Sequence, residues 1–304
     1  MTAVASTGTP IADRQSNVIG RYPLTSYFVL AFAGAWAVFL VHNLSADAWG
    51  VFSYASPFDI LVYIAAATFL GPMLAAVIVT GAAQGKAGVV HFFKRFLIWR
   101  VGVRWYVWAL VGVPAIATIG ALLVPGVLAS FTPIDPVPSF FSYVLFFIWP
   151  ALIIGGPLGE EPGWRGFALP RLEDRFGPVV GTLIVGVLWG VWHATIWSSG
   201  QWTVPTWQNM VMFTVWITAI SVIYTWIYNR TQGSILFAIL VHASMDAFPN
   251  AVLFPMFPQL GEMTSAGILT AYIANTIGYG GAALVIIIAT KGRLGLPARQ
   301  LAPA

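Results

Sequence analysis

Ionisable side chains are rare in the long apolar stretches of this 304-residue chain, and those that occur there are of types that carry chemistry. An ionisable group at the centre of a helix in hydrocarbon costs at least about 2.5 to 3.5 kcal/mol, so each one needs a reason. Three segments supply them, with the residues Glu160, Glu161, Arg165, His193, His242 and Asp246. Carboxylates and imidazoles act as general acids and bases when they meet at one water molecule.

Adjacent carboxylates follow a Gly-Gly-Pro break in the first of these segments. If the segment is helical, Glu161 and Arg165 stand at i and i+4 and close an ion pair, although Pro162 between them can kink the helix. Glu160 then keeps no committed cation, and such a carboxylate in a poorly solvated place exchanges protons near neutral pH. Glu160 is therefore predicted to be a general base or acid, with Glu161 and Arg165 in support.

The histidines of the other two segments each share a helix face with a neighbour four residues away. His193 follows Trp189 at this spacing, and His242 precedes Asp246, which is placed to orient or charge-balance it. Either histidine alone is more often a hydrogen-bonded core residue than a catalyst. Both together with Glu160, in this order, favour one shared catalytic site.

The elements that hold these residues are predicted to be membrane helices, because 59% of the residues are hydrophobic and only 8% are charged. Soluble domains have roughly 45 to 50% apolar and about 25% charged residues. The composition excludes a cytosolic enzyme, a disordered tail and a DNA-binding module, and no nucleic-acid partner is expected. Cysteine is absent, so neither a disulfide nor a thiolate nucleophile is available.

Apolar stretches of spanning length predict an all-α, polytopic integral membrane protein with about eight transmembrane helices. They cover residues 22–41, 58–80, 105–124, 140–158, 179–197, 207–228, 234–254 and 268–290. All 14 Lys and Arg residues fall in the two tails or in alternate connections, which by the positive-inside rule places both termini in the cytoplasm. No removable signal peptide is predicted, and the expected location is a bacterial plasma membrane.

The apolar stretches divide the chain into four regions, of which one contains the candidate site residues. These regions are a cytoplasmic tail 1–21, a three-helix region 22–138, a core 139–254 that contains the candidate site residues, and a last helix with a cytoplasmic tail 255–304. Within the second region, the basic segment 84–104 mixes aromatic and cationic residues and is suited to the inner membrane interface.

The depth of Glu160 in the membrane depends on where the fourth helix ends. Hydropathy alone places Glu160 at the inner surface. If the helix runs on so that Arg171 and Arg175 mark the inner interface, Glu160 lies about 17 Å inside at about 1.5 Å per residue. We prefer this second placement, with the helix extended or re-entrant and a water-filled cavity around the site.

The three segments together resemble the motifs of the CAAX prenyl protease and bacteriocin-processing family, also called the CPBP, Abi or type II CAAX endopeptidase family. The resembling stretches read EEPGWRGFALPRL, WGVWHATIW and GSILFAILVHASMDAF, and they occur in the family's order. The match covers about residues 140–254. It implies an intramembrane endopeptidase that hydrolyses a peptide bond of a membrane-associated or lipidated protein.

The resemblance also implies roles for individual residues: Glu160 and His193 activate a water molecule, and His242 with its neighbour Asp246 stabilises the oxyanion. Two positions depart from the family pattern, since Trp189 replaces the usual Phe, a mild aromatic swap, and Asp246 replaces the usual Asn. The second departure matters more, because an ionised Asp cannot donate a hydrogen bond to an oxyanion. Asp246 therefore stays protonated, acts by holding His242, or marks a changed or lost activity.

Other interpretations of the same residues stay open at this point. Glu160, His193 and His242 are also the ligand types of a catalytic zinc ion, although the local HExxH arrangement is missing; a mechanism without metal or cofactor is favoured. A catalytically silent scaffold or immunity protein is one alternative, and a proton-coupled transporter is a less favoured one. The expected partners are membrane lipid and a peptide or lipidated protein substrate.

Overall fold

A computed structural model describes residues 17–149, 154–201 and 203–297, and this part of the chain is helical without a β-strand. The prediction of an all-α, polytopic membrane protein is confirmed. The cations Arg14 and Arg299, which contributed to the charge pattern, lie outside the described residues, as do most of the predicted N-terminal tail and the end of the C-terminal tail.

Nine longer helices follow one another along the described part of the chain. They are α1 (Pro23–Asn43), α2 (Ile60–Leu97), α3 (Val103–Leu122), α4 (Pro136–Ile148), α5 (156–176), α6 (Pro178–Ser198), α7 (Trp207–Arg230), α8 (Ile235–Met256) and α9 (Ser265–Ala289). Among the described residues, 7 of these helices are long and apolar enough to cross a membrane, all except α4 and α5.

The fourth predicted span, 140–158, is not one continuous helix. Helix α5 starts only after Gly155, whose left-handed φ of 78° suits glycine and interrupts the helical backbone within that span. From there α5 runs on past Glu160 to Arg171 and Arg175, as the preferred placement of Glu160 required. The membrane depth of Glu160 stays a prediction.

Small residues let the helices that carry the candidate site approach their neighbours closely. On α5, a Cβ atom at Gly159 would lie 2.6 Å from the Thr68 hydroxyl oxygen of α2. On α6, a Cβ atom at Gly186 would lie 2.7 Å from the Thr218 Cα atom of α7. Close backbone approach of this kind is how helices pack in membranes, where van der Waals contact replaces the hydrophobic effect. The positions of α5 and α6 are therefore tightly defined.

The basic segment 84–104 is largely helical, and it turns away from the first part of α2. Gly85 has a φ of 67° inside α2, so the helix kinks there and continues to Leu97 in a new direction. Beyond the kink, Val90, Phe93 and Leu97 are exposed, beside the cations of the segment. Its placement at the inner membrane interface stays a prediction.

The two ends of the helix bundle carry opposite charge. At one end, which we call the basic end, the Arg95 guanidinium donates to the carbonyl oxygens of Gly166 (2.9 Å) and Gly233 (3.2 Å). These contacts join the end of α2 to α5 and to the α7–α8 turn. The opposite end, which we call the acidic end, is formed by connections 44–59, 123–135, 199–206 and 257–264. Those connections contain Asp47, Asp59, Asp135 and Glu262 but neither Lys nor Arg.

Single-cysteine labelling tests which end faces the cytoplasm, because the chain itself contains no cysteine. Ser53 is exposed at the acidic end and Ala87 is exposed beyond the kink in α2. In intact cells, a membrane-impermeant maleimide is expected to label Ser53→Cys, and to label Ala87→Cys only after permeabilisation. The opposite pattern would contradict the predicted cytoplasmic termini.

Candidate active site

Four predicted site residues line one cavity of about 480 Å³ inside the bundle. Glu160 comes from α5, His193 from α6, and His242 and Asp246 from α8. The structure thus brings together the groups that the sequence placed in three separate segments. Their catalytic roles stay a prediction.

Glu160 is buried in the cavity wall and is held by an indole group. The Trp189 Nε1 atom donates a 2.6 Å hydrogen bond to one carboxylate oxygen of Glu160. Among the described residues no ion pair includes Glu160, as expected for a carboxylate without a committed cation. A Phe at position 189 could not donate this bond. The indole N–H thus positions the carboxylate, a contact that the description of Trp189 as a mild aromatic swap did not include.

Glu161 and Arg165 form the predicted i,i+4 ion pair, with 2.9 Å between the Arg165 Nη1 and Glu161 Oε1 atoms. The helix stays continuous here despite Pro162, since a short π-helical turn follows at Trp164–Ala168. Both side chains are completely buried. The ion pair is therefore shielded from water, where its loss would leave an uncompensated charge.

Helix α7 supplies further partners of Arg165 that the sequence analysis missed. The Arg165 Nη2 atom donates to the Ser221 hydroxyl at 3.0 Å. Its guanidinium lies 4.1 Å from the ring centre of Tyr224 and 4.2 Å from that of Trp189. Ser221 and Tyr224 are polar residues three positions apart on one face of α7. This spacing could have identified them from the sequence as a polar face toward the site.

His242 is held mainly by Glu161. The His242 Nδ1 atom lies 2.8 Å from Glu161 Oε1, the same oxygen that accepts from Arg165. Its Nε2 atom lies 3.6 Å from an Asp246 carboxylate oxygen, which is an ion-pair distance but too long for a hydrogen bond. The sequence assigned the orientation of His242 to Asp246 alone, and it missed the shorter bond to Glu161.

His193 lies at a break in α6, between the helical segments Pro178–Trp192 and Ala194–Ser198. Its Nδ1 atom is 2.8 Å from the Trp189 carbonyl oxygen, which only accepts hydrogen bonds. The proton of a neutral His193 ring therefore sits on Nδ1, and Nε2 is the acceptor atom. An imidazole with this tautomer can accept a proton from water or from a neighbouring acid.

Asn250 is a polar residue of the cavity wall that the sequence analysis did not identify. It lies one helical turn beyond Asp246, and its side-chain nitrogen donates to the Asp246 carbonyl oxygen at 2.9 Å. Its spacing of four residues from Asp246 places both on one helix face, and this could have identified Asn250 from the sequence. The Asp246 side chain is itself 32% exposed, so it is reachable from the cavity.

A mechanism without a metal stays a prediction. Among the described residues there is no group of three or more His, Cys, Asp or Glu side chains that could hold a metal ion. Two of the candidate ligands make other contacts: one oxygen of Glu160 accepts from Trp189, and the His242 Nδ1 atom is bonded to Glu161.

The fold and the site describe a polytopic helical membrane protein with carboxylates and imidazoles around an internal cavity. Within it, residues 140–248 match the model of the family described as Type II CAAX prenyl endopeptidase Rce1-like. A protein named CAAX prenyl protease 2, from Methanococcus maripaludis, is 29% identical over 89 residues, which cover 27% of this chain and 32% of that protein. The resemblance inferred from the three motifs is confirmed, and the matched segment contains the four predicted site residues that line the cavity, Glu160, His193, His242 and Asp246.

Proposed function

We propose that this protein is an intramembrane endopeptidase of a bacterial plasma membrane that hydrolyses a peptide bond of a membrane-associated or lipidated substrate. The observation that carries the proposal is the convergence of Glu160, His193 and His242, from three helices, on one cavity. The match of residues 140–248 to a family of CAAX endopeptidases supports the same reaction class. A transporter would instead need polar groups along the full thickness of the bundle.

Water activation is assigned to Glu160 and His193. Glu160 takes a proton from a water molecule while the water oxygen forms a bond to the carbonyl carbon of the substrate. The Trp189 N–H keeps one carboxylate oxygen in place, which leaves the other oxygen for the water. His193 accepts a hydrogen bond at Nε2 and holds the same water. As the C–N bond breaks, the proton on Glu160 passes to the leaving amine, which restores the carboxylate.

Oxyanion stabilisation is assigned to His242, with Asp246 in support. When both ring nitrogens of His242 carry hydrogen, its Nε2–H group can donate a hydrogen bond to the negative oxygen of the tetrahedral intermediate. Glu161 accepts from the Nδ1 atom of the same ring and fixes the ring orientation. Asp246 completes this arrangement either as a protonated donor or as a carboxylate beside His242.

The proposal makes two claims, that the protein hydrolyses a peptide bond and that this reaction needs no metal. A cleavage assay with and without a chelator tests both. Protein reconstituted in liposomes is expected to cleave an internally quenched, membrane-anchored peptide at the same rate with and without EDTA. Mass spectrometry of the products should show a single hydrolysed peptide bond. Activity that is lost with EDTA and restored by zinc would contradict the metal-free mechanism. Peptide binding without cleavage would support the scaffold alternative.

Asp246→Asn is expected to retain activity within about threefold of the unchanged protein. The amide has nearly the same shape as the carboxylate and can donate a hydrogen bond to an oxyanion, which an ionised Asp cannot. The rate of peptide cleavage in liposomes is the measurement. Asp246→Ala, which removes both functions, is the matched comparison and should be slower. Complete inactivity of Asp246→Asn would show that the negative charge itself is required.

A further inference from the structure

Helix α9 lines the cavity with one of its faces, through Ile268, Ala271, Tyr272 and Asn275. These positions follow the i, i+3, i+4, i+7 spacing that places side chains on one side of a helix. The first three present apolar or aromatic surface, which is usual for the wall of a binding pocket. Asn275 is the exception, because it brings a carboxamide into the middle of an apolar helix.

The Asn275 side chain has no hydrogen bond to the described part of the protein, although the residue is only 7% exposed. Other polar side chains of α9 bind the backbone: the Thr270 and Thr276 hydroxyls donate to carbonyl oxygens one turn earlier, and the Tyr279 hydroxyl donates to the Val113 carbonyl oxygen of α3. A buried amide without a hydrogen bond is costly, and membrane helices usually satisfy it across an interface. The carboxamide of Asn275 instead faces the cavity.

The packing of α9 on α3 fixes the direction of this carboxamide. A Cβ atom at Gly120 of α3 would collide with the Ala274 carbonyl oxygen, and a Cβ atom at Gly278 would collide with the Ile116 carbonyl oxygen. In the sequence of α9, these close approaches lie on either side of Asn275. Rotation of α9 about its axis would break both of them, so Asn275 is held toward the cavity.

Asn275 and Asp246 lie at similar distances from the acidic end of the bundle. Asn275 is ten residues after the start of α9 at Ser265, and Asp246 is ten residues before the end of α8 at Met256. At about 1.5 Å per residue, both are about 15 Å from that end. His242, the proposed oxyanion group, lies one turn or about 6 Å further in. About two residues of an extended peptide span this length, at roughly 3.3 Å each.

A carboxamide carries a donor and an acceptor side by side. In an extended chain the N–H and C=O groups of one residue point to the same side, as they do in paired strands. Resting on the proposed function, we infer that Asn275 binds the backbone N–H and C=O groups of one substrate residue, about two residues from the hydrolysed bond. Asn275 is thus a positioning residue, which holds an extended substrate so that its scissile carbonyl lies at Glu160 and His193.

Binding of backbone-modified peptides to the Glu160→Gln variant tests this inference without turnover. One apolar fluorescent peptide is made as a series in which an ester replaces one peptide bond at a time, which removes a single N–H donor. Fluorescence anisotropy with the reconstituted variant is expected to show one position where the ester weakens binding by about fivefold. In the same background, Asn275→Leu should weaken binding of the all-amide peptide by at least about tenfold and abolish the ester effect at that position.

Thr276→Val is the matched control, because Thr276 is the next residue of α9, its hydroxyl bonds within the helix, and it does not line the cavity. This variant should leave the affinity and the pattern of ester effects unchanged. With Glu160 intact, Asn275→Leu should lower kcat/KM for peptide cleavage by at least about tenfold, since the scissile bond is no longer held in place. Thr276→Val should keep kcat/KM.

The outcomes separate this inference from the proposed function. The inference is overturned if no peptide binds, or if Asn275→Leu binds the all-amide peptide as tightly as the parent. A uniform loss of affinity in Asn275→Leu, with every ester effect preserved, would also overturn it, because it would show that Asn275 only supports the fold. If the position-specific effect is found but the protein with Glu160 intact cleaves none of the peptides, the endopeptidase assignment fails while the backbone contact stands.

Discussion

Glu160→Gln is expected to lower the rate of peptide cleavage by at least about 10³-fold, in the upper part of the range for general acid–base catalysis. The amide cannot take a proton from water, yet its oxygen can still accept the 2.6 Å hydrogen bond from Trp189. The fold and the substrate affinity should therefore change little. The measurement is the initial rate of cleavage of a quenched peptide in liposomes, with binding determined separately by anisotropy.

Glu173→Gln is the matched control, because Glu173 is also a buried carboxyl group of α5 but lies near the basic end, outside the cavity. Burial raises the pKa of Glu173 to about 7, so the neutral amide is close to the state that the carboxyl group partly adopts at neutral pH. This variant should keep full activity. If Glu160→Gln cleaves the peptide as fast as Glu173→Gln and the unchanged protein, Glu160 has no role in the mechanism.

The same comparison extends to the histidines. His193→Ala should also lose activity, because the acceptor Nε2 atom disappears with the ring. His91→Ala should not, since His91 is exposed outside the cavity. Agreement of the two pairs of variants would assign the effect to the cavity rather than to a general loss of charged groups.

Arg165→Met is expected to destabilise the protein by about 3 to 5 kcal/mol, the usual effect of removing one partner from a buried ion pair. Glu161 would be left with only His242 as a partner, and the contacts of the guanidinium with Trp189 and Tyr224 would be lost. Arg165→Lys should fall in between, because a Lys ammonium cannot reproduce the planar fork or the stacking. Thermal unfolding in one detergent gives the comparison.

Two further variants show whether the loss arises from the unpaired charge. Arg175→Met removes an exposed cation from the end of α5 and should leave the unfolding temperature nearly unchanged. Adding Glu161→Gln to Arg165→Met removes the unpaired carboxylate and should recover part of the lost stability. If Arg165→Met unfolds at the same temperature as the unchanged protein, the buried pair does not stabilise the fold.

The network around Glu161 links stability to the proposed chemistry. One carboxylate oxygen accepts from both Arg165 and His242, so the same contact that neutralises a buried charge also fixes the candidate oxyanion group. The spacing alone predicted that Glu161 and Arg165 support the site. The structure adds the contact through which they do so, the bond between Glu161 and the His242 Nδ1 atom.

Contacts within a single helix were accessible from the sequence. The ion pair of Glu161 with Arg165 follows from 3.6 residues per turn, and it needs no knowledge of any other helix. The apolar stretches and the alternation of Lys and Arg between connections likewise follow from what hydrocarbon tolerates. For these reasons the helical membrane fold and the three segments of the site could be predicted.

Contacts between helices could be decided only by the tertiary structure. The hydrogen bond from Trp189 to Glu160 and the bond between His242 and Glu161 depend on how each helix is rotated and how closely it packs. Hydropathy is the same for every rotation of an apolar helix, so it contains no information on either contact. The cavity that these residues line depends on the same packing, because neighbouring helices leave space only where their side chains fail to meet.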